Sequence, residues 1–232
     1  MAIHRLRLIV VTVVAALLMA ALAAAPALAT GLRVEAPHRT VFQGQVKPFV
    51  GTLRGHTTTE PTALGALVTA SRRTPFELGL GWSDQFGGAW NGFFVKSIAG
   101  VSPPVTAFWA LKVNQKLSFT GLGSTPVRRG THVLVYYTTF GGPPDYPTQP
   151  TLGLRASDRT VEAGSTVTLT VSSYDDAGTG TPAADSVVWV NGVGLDADAG
   201  GAVTLRLAKG SYRVRATSPG AIRSRTLWVH AS

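Results

Sequence analysis

Aromatic side chains crowd one stretch of the chain, between residues 82 and 109. Flat aromatic faces bind sugars, planar rings and peptides by stacking and by burying apolar surface. Trp82 and Trp90 flank a polar, glycine-rich loop that would leave both rings accessible to a ligand. The alternative is that the rings are core, because strand neighbours such as Phe108 and Trp109 point to opposite faces and one of them is buried. Both interpretations stay open at this point.

Catalytic motifs are missing from the sequence. The histidines beyond the first thirty residues are His38, His56, His132 and His230. None belongs to a motif that pairs a base with a nucleophile and an orienting acid, and there is no metalloprotease, phosphate-loop or serine-hydrolase signature. The chain has no cysteine, which excludes disulfides, thiolate metal sites and a cysteine nucleophile. We expect a protein that is not an enzyme and needs no cofactor.

Two alternate carboxylates, Asp196 and Asp198, resemble the start of a calcium-binding loop. Such a loop needs further oxygen ligands, and Gly200 stands where the next one is required. A turn that tolerates two aspartates explains the pattern more simply. We expect a turn here and no bound metal.

The first 29 residues have the three-part layout of a secretory signal. Two arginines precede an uncharged apolar run over residues 8–25, which Pro26 ends before Ala27-Leu28-Ala29. Cleavage is expected between Ala29 and Thr30, giving a secreted protein or one held at the cell envelope. The alternative is a retained membrane anchor, since ~18 apolar residues just span a bilayer. No other membrane contact is expected, and the Ala-, Val-, Arg- and Gly-rich composition is associated with bacteria.

The chain of 232 residues carries a net charge of +9, which favours anionic partners. Its basic residues are scattered, however, and the doublets at 72–73 and 128–129 lie beside turn residues, as solvated surface charge often does. We expect no nucleic acid as partner of an exported protein. The expected partner is an unidentified ligand, either a small molecule or a cell-wall glycan.

Residues 141–150 contain four prolines and two glycines, a composition that predicts an extended linker. The linker separates a first domain, residues 30–140, from a second domain, residues 151–232. Because this linker offers few backbone donors and little apolar surface, we expect each domain to fold alone and the contacts between them to be sparse.

The predicted fold class is mainly β. Apolar residues at helical spacing from Ala63 to Ser71 predict one helix, with Thr62 as its N-cap and Pro61 in its first turn. The Gly-, Thr- and Pro-rich segment between Phe42 and Thr62 predicts a loop. Strands are predicted in the first domain over residues 32–36, 40–42, 90–98, 106–113, 117–119 and 132–138.

The second domain is predicted to be an antiparallel sandwich. Apolar and polar residues alternate along several short runs, and Asn191-Gly192 is a type I′ hairpin signal. This half resembles the immunoglobulin-like or prealbumin-like modules of bacterial surface proteins, with matching runs at 190–192, 198–203 and 209–214. Such modules usually act as spacers or adhesion folds.

Several motifs of the first domain occur in the order of a known family. Ala63–Leu67 followed by Phe93–Gly100 is similar to a helix and a "y-v-x-s-I-x-G" strand, and Phe108–Gln115 looks like a "Y-W-x-x-x-V-N-G" hairpin. Gly121, Gly130 and Val133–Tyr136 resemble the ending "G … G-D-x-V-x-x-x-Y", with Thr131 in place of the acidic residue. Residues ~60–138 therefore resemble the transcobalamin-like C-terminal domain, also called DUF4430, and Gln115 replaces its hairpin glycine.

The resemblance implies a β-grasp-like domain that, in the animal cobalamin carriers, closes over vitamin B12. The helical barrel of those carriers has no counterpart in this sequence, so the resemblance implies the fold more than it implies cobalamin. The candidate ligand-binding residues are Trp82, Trp90, Trp109, Asn114 and Gln115, because the resemblance places the hairpin next to the ligand.

The predicted function is that of a non-catalytic binding protein whose first domain holds a cobalamin-like or other small molecule, or a glycan. The alternative is a structural or adhesive surface protein with no small-molecule ligand.

Overall fold

The structure is a computed structural model that describes residues 29–86, 91–139 and 148–232. The predicted signal segment before Ala29, Trp90 and most of the predicted linker lie outside the described residues. Strands dominate the described part of the chain, which has one α-helix, and the mainly β fold class is confirmed. None of the helices in that part is long and apolar enough to cross a membrane.

The described part of the first domain ends at Thr139. Its elements in chain order are β1 (Thr30–Glu35), β2 (Thr40–Val46), β3 (Gly51–Leu53), β4 (His56–Thr58), α1 (Ala63–Arg73), β5 (Leu78–Trp82), a 3-10 turn (Asp84–Phe86), β6 (Phe93–Ile98), β7 (Ala107–Val113), β8 (Lys116–Leu117) and β9 (His132–Thr139). The predicted helix is confirmed, and Thr62 is its N-cap because the Thr62 hydroxyl oxygen accepts a hydrogen bond from the Gly65 N–H at 3.2 Å. Pro61 precedes this cap, so the expectation that it lies in the first turn is wrong.

The main sheet of the first domain has the strand order β2-β1-β9-β7-β8. β1 and β9 are parallel, and the other neighbours are antiparallel. With a single helix between β2 and the later strands, this is a β-grasp-like arrangement. Helix α1 packs on one face of the sheet, where Leu32, Leu67 and Val135 belong to the apolar core.

The opposite face of the same sheet is polar and nevertheless buried. Alternate residues of a strand point to opposite faces, so Arg33 and Glu35 of β1, Lys112 of β7 and Tyr136 of β9 point away from the helix. All four are buried. Residues of the second domain contact this face: Asp176 pairs with Lys112, Arg223 pairs with Glu35, and Ile222 packs on the cluster that contains Tyr136. The expectation of sparse contacts between the domains is therefore wrong.

The second domain consists of two sheets packed around a common core. Its strands are β10 (Thr151–Ala156), β11 (Thr160–Val161), β12 (Thr166–Tyr174), β13 (Gly180–Pro182), β14 (Val187–Val190), β15 (Val193–Asp196), β16 (Ala202–Arg206), β17 (Gly210–Thr217) and β18 (Leu227–Ala231). One sheet has the order β10-β12-β13, with β16 also paired to β12, and the other has the order β11-β18-β17-β14-β15. Side chains from both sheets form a separate apolar core, which includes Leu169 and Val214.

Both turns predicted in the second domain are present. Asn191 and Gly192 have φ values of 49° and 89°, which fit the type I′ hairpin between β14 and β15. The Asp198 carboxylate accepts hydrogen bonds from the backbone N–H groups of Gly200 and Ala202 at 2.8 and 2.9 Å. Asp198 therefore closes a turn, as the simpler interpretation predicted.

Some strands were missed because their composition is typical of loops. The segment between Phe42 and Thr62 was predicted as a loop, yet β2 continues to Val46 and β3 pairs with β4. In contrast, Phe119 lies outside the strands and is 94% exposed, although the pattern predicted a strand there. β3 and β4 are each three residues long, too short for a period of two to be recognised.

Candidate functional site

Trp82 lies at the end of β5 and is held by its neighbours. Its ring stacks on His56 with 3.3 Å between the ring centroids and meets the Phe93 ring edge-on. Its indole N–H donates a hydrogen bond to the Asp84 carboxylate at 2.8 Å. One face of Trp82 is therefore already occupied by His56.

Trp109 belongs to the core on the helix side of the sheet, and Trp90 lies outside the described residues. The Trp109 side chain is 8% exposed and packs edge-on against Tyr137. Its indole nitrogen has no hydrogen-bond partner among the residues that the structure describes. In this conformation Trp109 offers no free ring face to a ligand.

Asn114 and Gln115 form the turn between β7 and β8. The Asn114 side-chain oxygen accepts a hydrogen bond from the His132 N–H at 2.8 Å, which fastens the turn to the start of β9. About five strand residues, roughly 17 Å, separate this turn from Trp109. Of the predicted binding residues in the described part, the structure brings only Asn114 and Gln115 together.

A cleft of about 460 Å³ lies next to this turn, between the two domains. This volume is within the range of small-molecule sites. The first domain lines the cleft with Gly31, Leu32, Arg33, Gln43, Gly44, Gln45, Gln115, His132, Val133 and Leu134. The second domain lines it with Leu152, Gly153, Leu154, Arg155, Tyr174 and Arg225. Among the predicted site residues that the structure describes, only Gln115 borders the cleft.

The cleft is positively charged. Arg33, Arg155 and Arg225 line it, and no described acidic residue does. Burial lowers the pKa of Arg33 to about 10, so its guanidinium stays protonated at neutral pH. Arg33 lies 3.7 Å from the Glu35 carboxylate, whereas Arg155 and Arg225 form no ion pair with a described residue. These two arginines provide uncompensated charge for an anionic ligand.

One buried ion cluster joins the domains at Glu35. The Glu35 side chain is 1% exposed, and one of its oxygens accepts a hydrogen bond from the Thr40 hydroxyl at 2.9 Å. The other oxygen lies 3.3 Å from the guanidinium of Arg223, a residue of the second domain. Arg223 also donates hydrogen bonds to the backbone oxygens of Ala36 and Pro37. Burial raises the pKa of Glu35, although Arg33, Thr40 and Arg223 oppose the shift.

A second buried cluster joins the domains at Lys112. The Lys112 side chain is fully buried, and its ammonium lies 3.1 Å from the Asp176 carboxylate. The same ammonium donates a hydrogen bond of 3.0 Å to the Asp175 backbone oxygen. The Thr148 N–H and hydroxyl both donate to Asp176. The Thr148 and Tyr136 hydroxyls are hydrogen-bonded at 2.6 Å. These contacts join β7 and β9 of the first domain to residues 148, 175 and 176.

Sequence reasoning missed the covered face, although β7 carried a signal for it. Residues 107–113 are apolar at both odd and even positions apart from Lys112. A strand with one solvated face alternates apolar and polar residues, and a nearly continuous apolar run indicates burial on both faces. The residues of the second domain that pair with Glu35 and Lys112 lie in loops and carry no comparable pattern.

Comparison with known proteins adds one match. Residues 82–139 match the model of a family described as "Domain of unknown function (DUF4430)". A comparison with curated proteins gives no match. The matched segment spans β6 to β9 and supplies Gln115, His132 and Lys112 to the cleft and to the contacts beside it. The chain thus contains a segment that is similar to the DUF4430 family, the family that its sequence motifs indicated.

Proposed function

We propose that this is an exported, non-catalytic binding protein that holds a small anionic molecule in the cleft between its domains. The observation that carries the proposal is the pair of arginines without ionic partners, Arg155 and Arg225, in a cleft of about 460 Å³. Amide groups of Gln45 and Gln115 lie beside this charge and supply hydrogen-bond donors and acceptors, whereas the Gln43 amide is engaged by the Thr226 backbone. Charge with a few polar groups is what orients a ligand in such a site.

The transcobalamin-like resemblance supports the same location. In the cobalamin carriers the resemblance places the hairpin next to the ligand, and here the Asn114-Gln115 hairpin lies at the rim of the cleft. A cobalamin-like ligand fits less well, because a corrinoid with its nucleotide tail is much larger than a molecule that fills 460 Å³. A compact carboxylate or phosphate compound matches both the volume and the charge.

Export is proposed from the signal-like segment, with the mature protein secreted or held at the bacterial cell envelope. Thr30 begins β1, so cleavage after Ala29 removes no residue of the described strands of the first domain. N-terminal sequencing of protein recovered from the culture medium or the envelope is expected to begin at Thr30. An intact Met1 on exported protein would contradict cleavage.

The second candidate function is a structural or adhesive surface protein. The buried pairs Lys112–Asp176 and Arg223–Glu35 favour it, because they fix one domain on the other as a rigid spacer requires. The immunoglobulin-like module proposed for the second domain has such roles in other surface proteins. Under this function the cleft binds nothing.

Calorimetric titration of the mature protein with citrate, inorganic phosphate and cyanocobalamin separates the two functions. We expect an anion to bind, and Arg225→Gln to weaken this binding several-fold, since one charged contact is worth about 1 kcal/mol or more. Arg129→Gln, which removes an exposed arginine outside the cleft, is the matched control and should bind as the wild type does. Binding of neither anion would favour the structural function, and stronger binding of cyanocobalamin would favour the carrier-like ligand.

A further inference from the structure

The outer face of the five-stranded sheet in the second domain carries two tryptophans and two arginines side by side. β14 pairs with β17 so that Trp189 lies opposite Arg215, and β17 pairs with β18 so that Arg213 lies opposite Trp228. Trp189 and Trp228 are 39% and 51% exposed, unusually high for such large apolar side chains. From strand spacing and rise, the Cα atoms of the two tryptophans are roughly 12 Å apart. Strand β17, which carries both arginines, lies between them.

Trp189 is held in place as a platform. Its indole N–H donates a hydrogen bond to the Thr217 hydroxyl at 2.8 Å. Its six-membered ring lies over Gly194 of β15, where an added Cβ would come within 3.3 Å of the ring. The ring is therefore fixed against the sheet by one hydrogen bond and a glycine, and its outer side is left to solvent. A ring that is already fixed loses little entropy when a ligand stacks on it.

A groove of about 400 Å³ runs beside this face, where the sheet meets the first domain. The residues that line it include Arg39 of the first domain and Arg213, Arg215 and Trp228 of the second. No described acidic residue lines the groove. Neither Arg213 nor Arg215 forms an ion pair within the described residues. The nearby Glu35 is already engaged by Arg33 and Arg223.

One acidic residue shares this face, at its far edge. Asp196 lies on β15 opposite Val187, while the arginines lie on β17 on the other side of β14. The centre of the face and the groove therefore carry positive charge beside exposed aromatic rings.

We propose that this surface, formed by Trp189, Trp228, Arg213, Arg215 and Arg39, binds an acidic polysaccharide. A uronic-acid ring carries a carboxylate and an apolar face of C–H groups within one sugar unit. The carboxylate suits an arginine, which binds it through two parallel hydrogen bonds. The C–H face suits a tryptophan, and charge and ring alternate across the sheet as they do along such a polymer.

The arrangement favours a polysaccharide over a nucleic acid. Single-strand binding surfaces stack bases on aromatic rings and hold the phosphates along a separate basic track. Here the arginines lie between the two rings, and they do not form a row on one side of them. The proposed surface lies on the second domain except for Arg39, and it takes a polymer. Gln43 borders both the groove and the cleft, but none of the five residues of the surface lines the cleft, so the surface is separate from the site proposed for the small anion.

The test uses the mature full-length protein and polygalacturonate, with dextran as a neutral polysaccharide and oligothymidylate as a nucleic acid. Affinity electrophoresis should show retardation by polygalacturonate and none by dextran, and the retardation should weaken as salt is raised, because charge contributes to it. Trp228→Ala and Arg213→Gln should each reduce the affinity for polygalacturonate several-fold. Circular dichroism confirms that each variant is folded.

Matched controls lie outside the surface. Phe119→Ala removes an aromatic ring that is 94% exposed, and Arg129→Gln removes an exposed arginine, so both should leave polygalacturonate binding unchanged. Arg225→Gln, in the cleft, should also leave it unchanged, which separates this proposal from the proposed function. Tighter binding of oligothymidylate, equal binding of dextran, absence of retardation, or unchanged affinity in both Trp228→Ala and Arg213→Gln would overturn the proposal.

Discussion

Gln115 holds a backbone conformation that suits glycine better. Its φ is 73°, in the left-handed region, and the corresponding residue of the second-domain hairpin is Gly192 with a φ of 89°. A non-glycine residue there costs on the order of 1 kcal/mol. The Gln115 side chain accepts a hydrogen bond of 3.4 Å from the Thr151 hydroxyl of the second domain, a weak bond that offsets little of this cost.

Gln115→Gly should therefore raise the free energy of unfolding by about 1 kcal/mol. Urea denaturation followed by tryptophan fluorescence measures the change. Gly192→Ala is the opposite substitution in the matching turn, where an added Cβ meets open space, and it should lower stability by a similar amount. Equal or reduced stability of Gln115→Gly would show that the strain at this position is compensated elsewhere.

Lys112 is a buried charge whose partners come from the other domain. Lys112→Met should lower the free energy of unfolding by about 3 kcal/mol, because Asp176 then lacks its counter-ion. The double variant Lys112→Met with Asp176→Leu should recover much of the loss, since no charge is left unpaired. Chemical denaturation of the wild type, both single variants and the double variant gives the coupling free energy between Lys112 and Asp176. Additive losses would contradict a direct interaction.

Asp176 and Glu35 should respond to pH in opposite directions. Partial burial tends to raise the pKa of Asp176, but the Thr148 hydrogen bonds and Lys112 together lower it below its usual value. Its contribution to stability is therefore present above the unfolded pKa of about 3.9 and is lost as pH falls through the folded value. The raised pKa of Glu35 acts oppositely, so that stability falls as pH rises from the ordinary Glu value through the folded one.

The acid dependence of Asp176 is tested with Asp176→Asn. Between pH 6 and pH 3 the variant should lose less stability than the wild type, by a modest amount because the Asp176 side chain is 23% exposed. Urea denaturation at several pH values measures how the free energy of unfolding changes with pH in the wild type and in the variant. A variant as sensitive to acid as the wild type would assign the acid response to other carboxylates.

At the scale of elements, helix α1 is packed closely through Gly65. The Phe49 N–H donates to the Gly65 backbone oxygen at 2.9 Å, and a Cβ added at Gly65 would lie 2.3 Å from the Phe49 backbone oxygen. Alanine is preferred to glycine in an isolated helix by about 1 kcal/mol. Here the contact between backbones outweighs that preference, because the neighbouring atom belongs to the main chain.

Gly65→Ala should consequently destabilise the protein by about 2 kcal/mol, through overpacking and displacement of the segment before β3. Ser71→Ala on the same helix is the control, and it should change stability by less than about 0.5 kcal/mol. Thermal and urea denaturation compare the two variants. Stabilisation by Gly65→Ala would mean that the segment around Phe49 yields at little cost.

The elements that sequence patterns predicted are those with a local cause. Helix α1 has an N-cap and apolar residues at helical spacing, and the Asn191-Gly192 turn requires positive φ values that these residues accept. β3 and β4 depend on pairing with each other and have no pattern of their own. Gln115 was assigned to the site through resemblance, whereas Arg155 and Arg225 reach the cleft through the packing of two domains, which no local pattern records.

At the scale of the whole molecule, the first domain depends on the second to cover its polar sheet face. Fragments 30–139 and 148–232 should each fold, because each has its own apolar core. The first fragment should be less stable than the same residues in the full chain, since Glu35 and Lys112 lose their partners from the second domain. Separate thermal melts test this, and a fragment that is unfolded alone would contradict the predicted division into domains.

The parallel pairing of β1 with β9 has a consequence for the order of folding. Gly31 pairs with His132, so the central strands of the sheet come from opposite ends of the first domain. Closing so long a loop is slow, because its entropy cost precedes any gain from the contacts. A chain that emerges N-terminus first, from a ribosome or a translocation channel, cannot complete this sheet until β9 has followed. The chain of this domain therefore stays without its complete sheet, and able to pass through a channel, until nearly all of it has emerged.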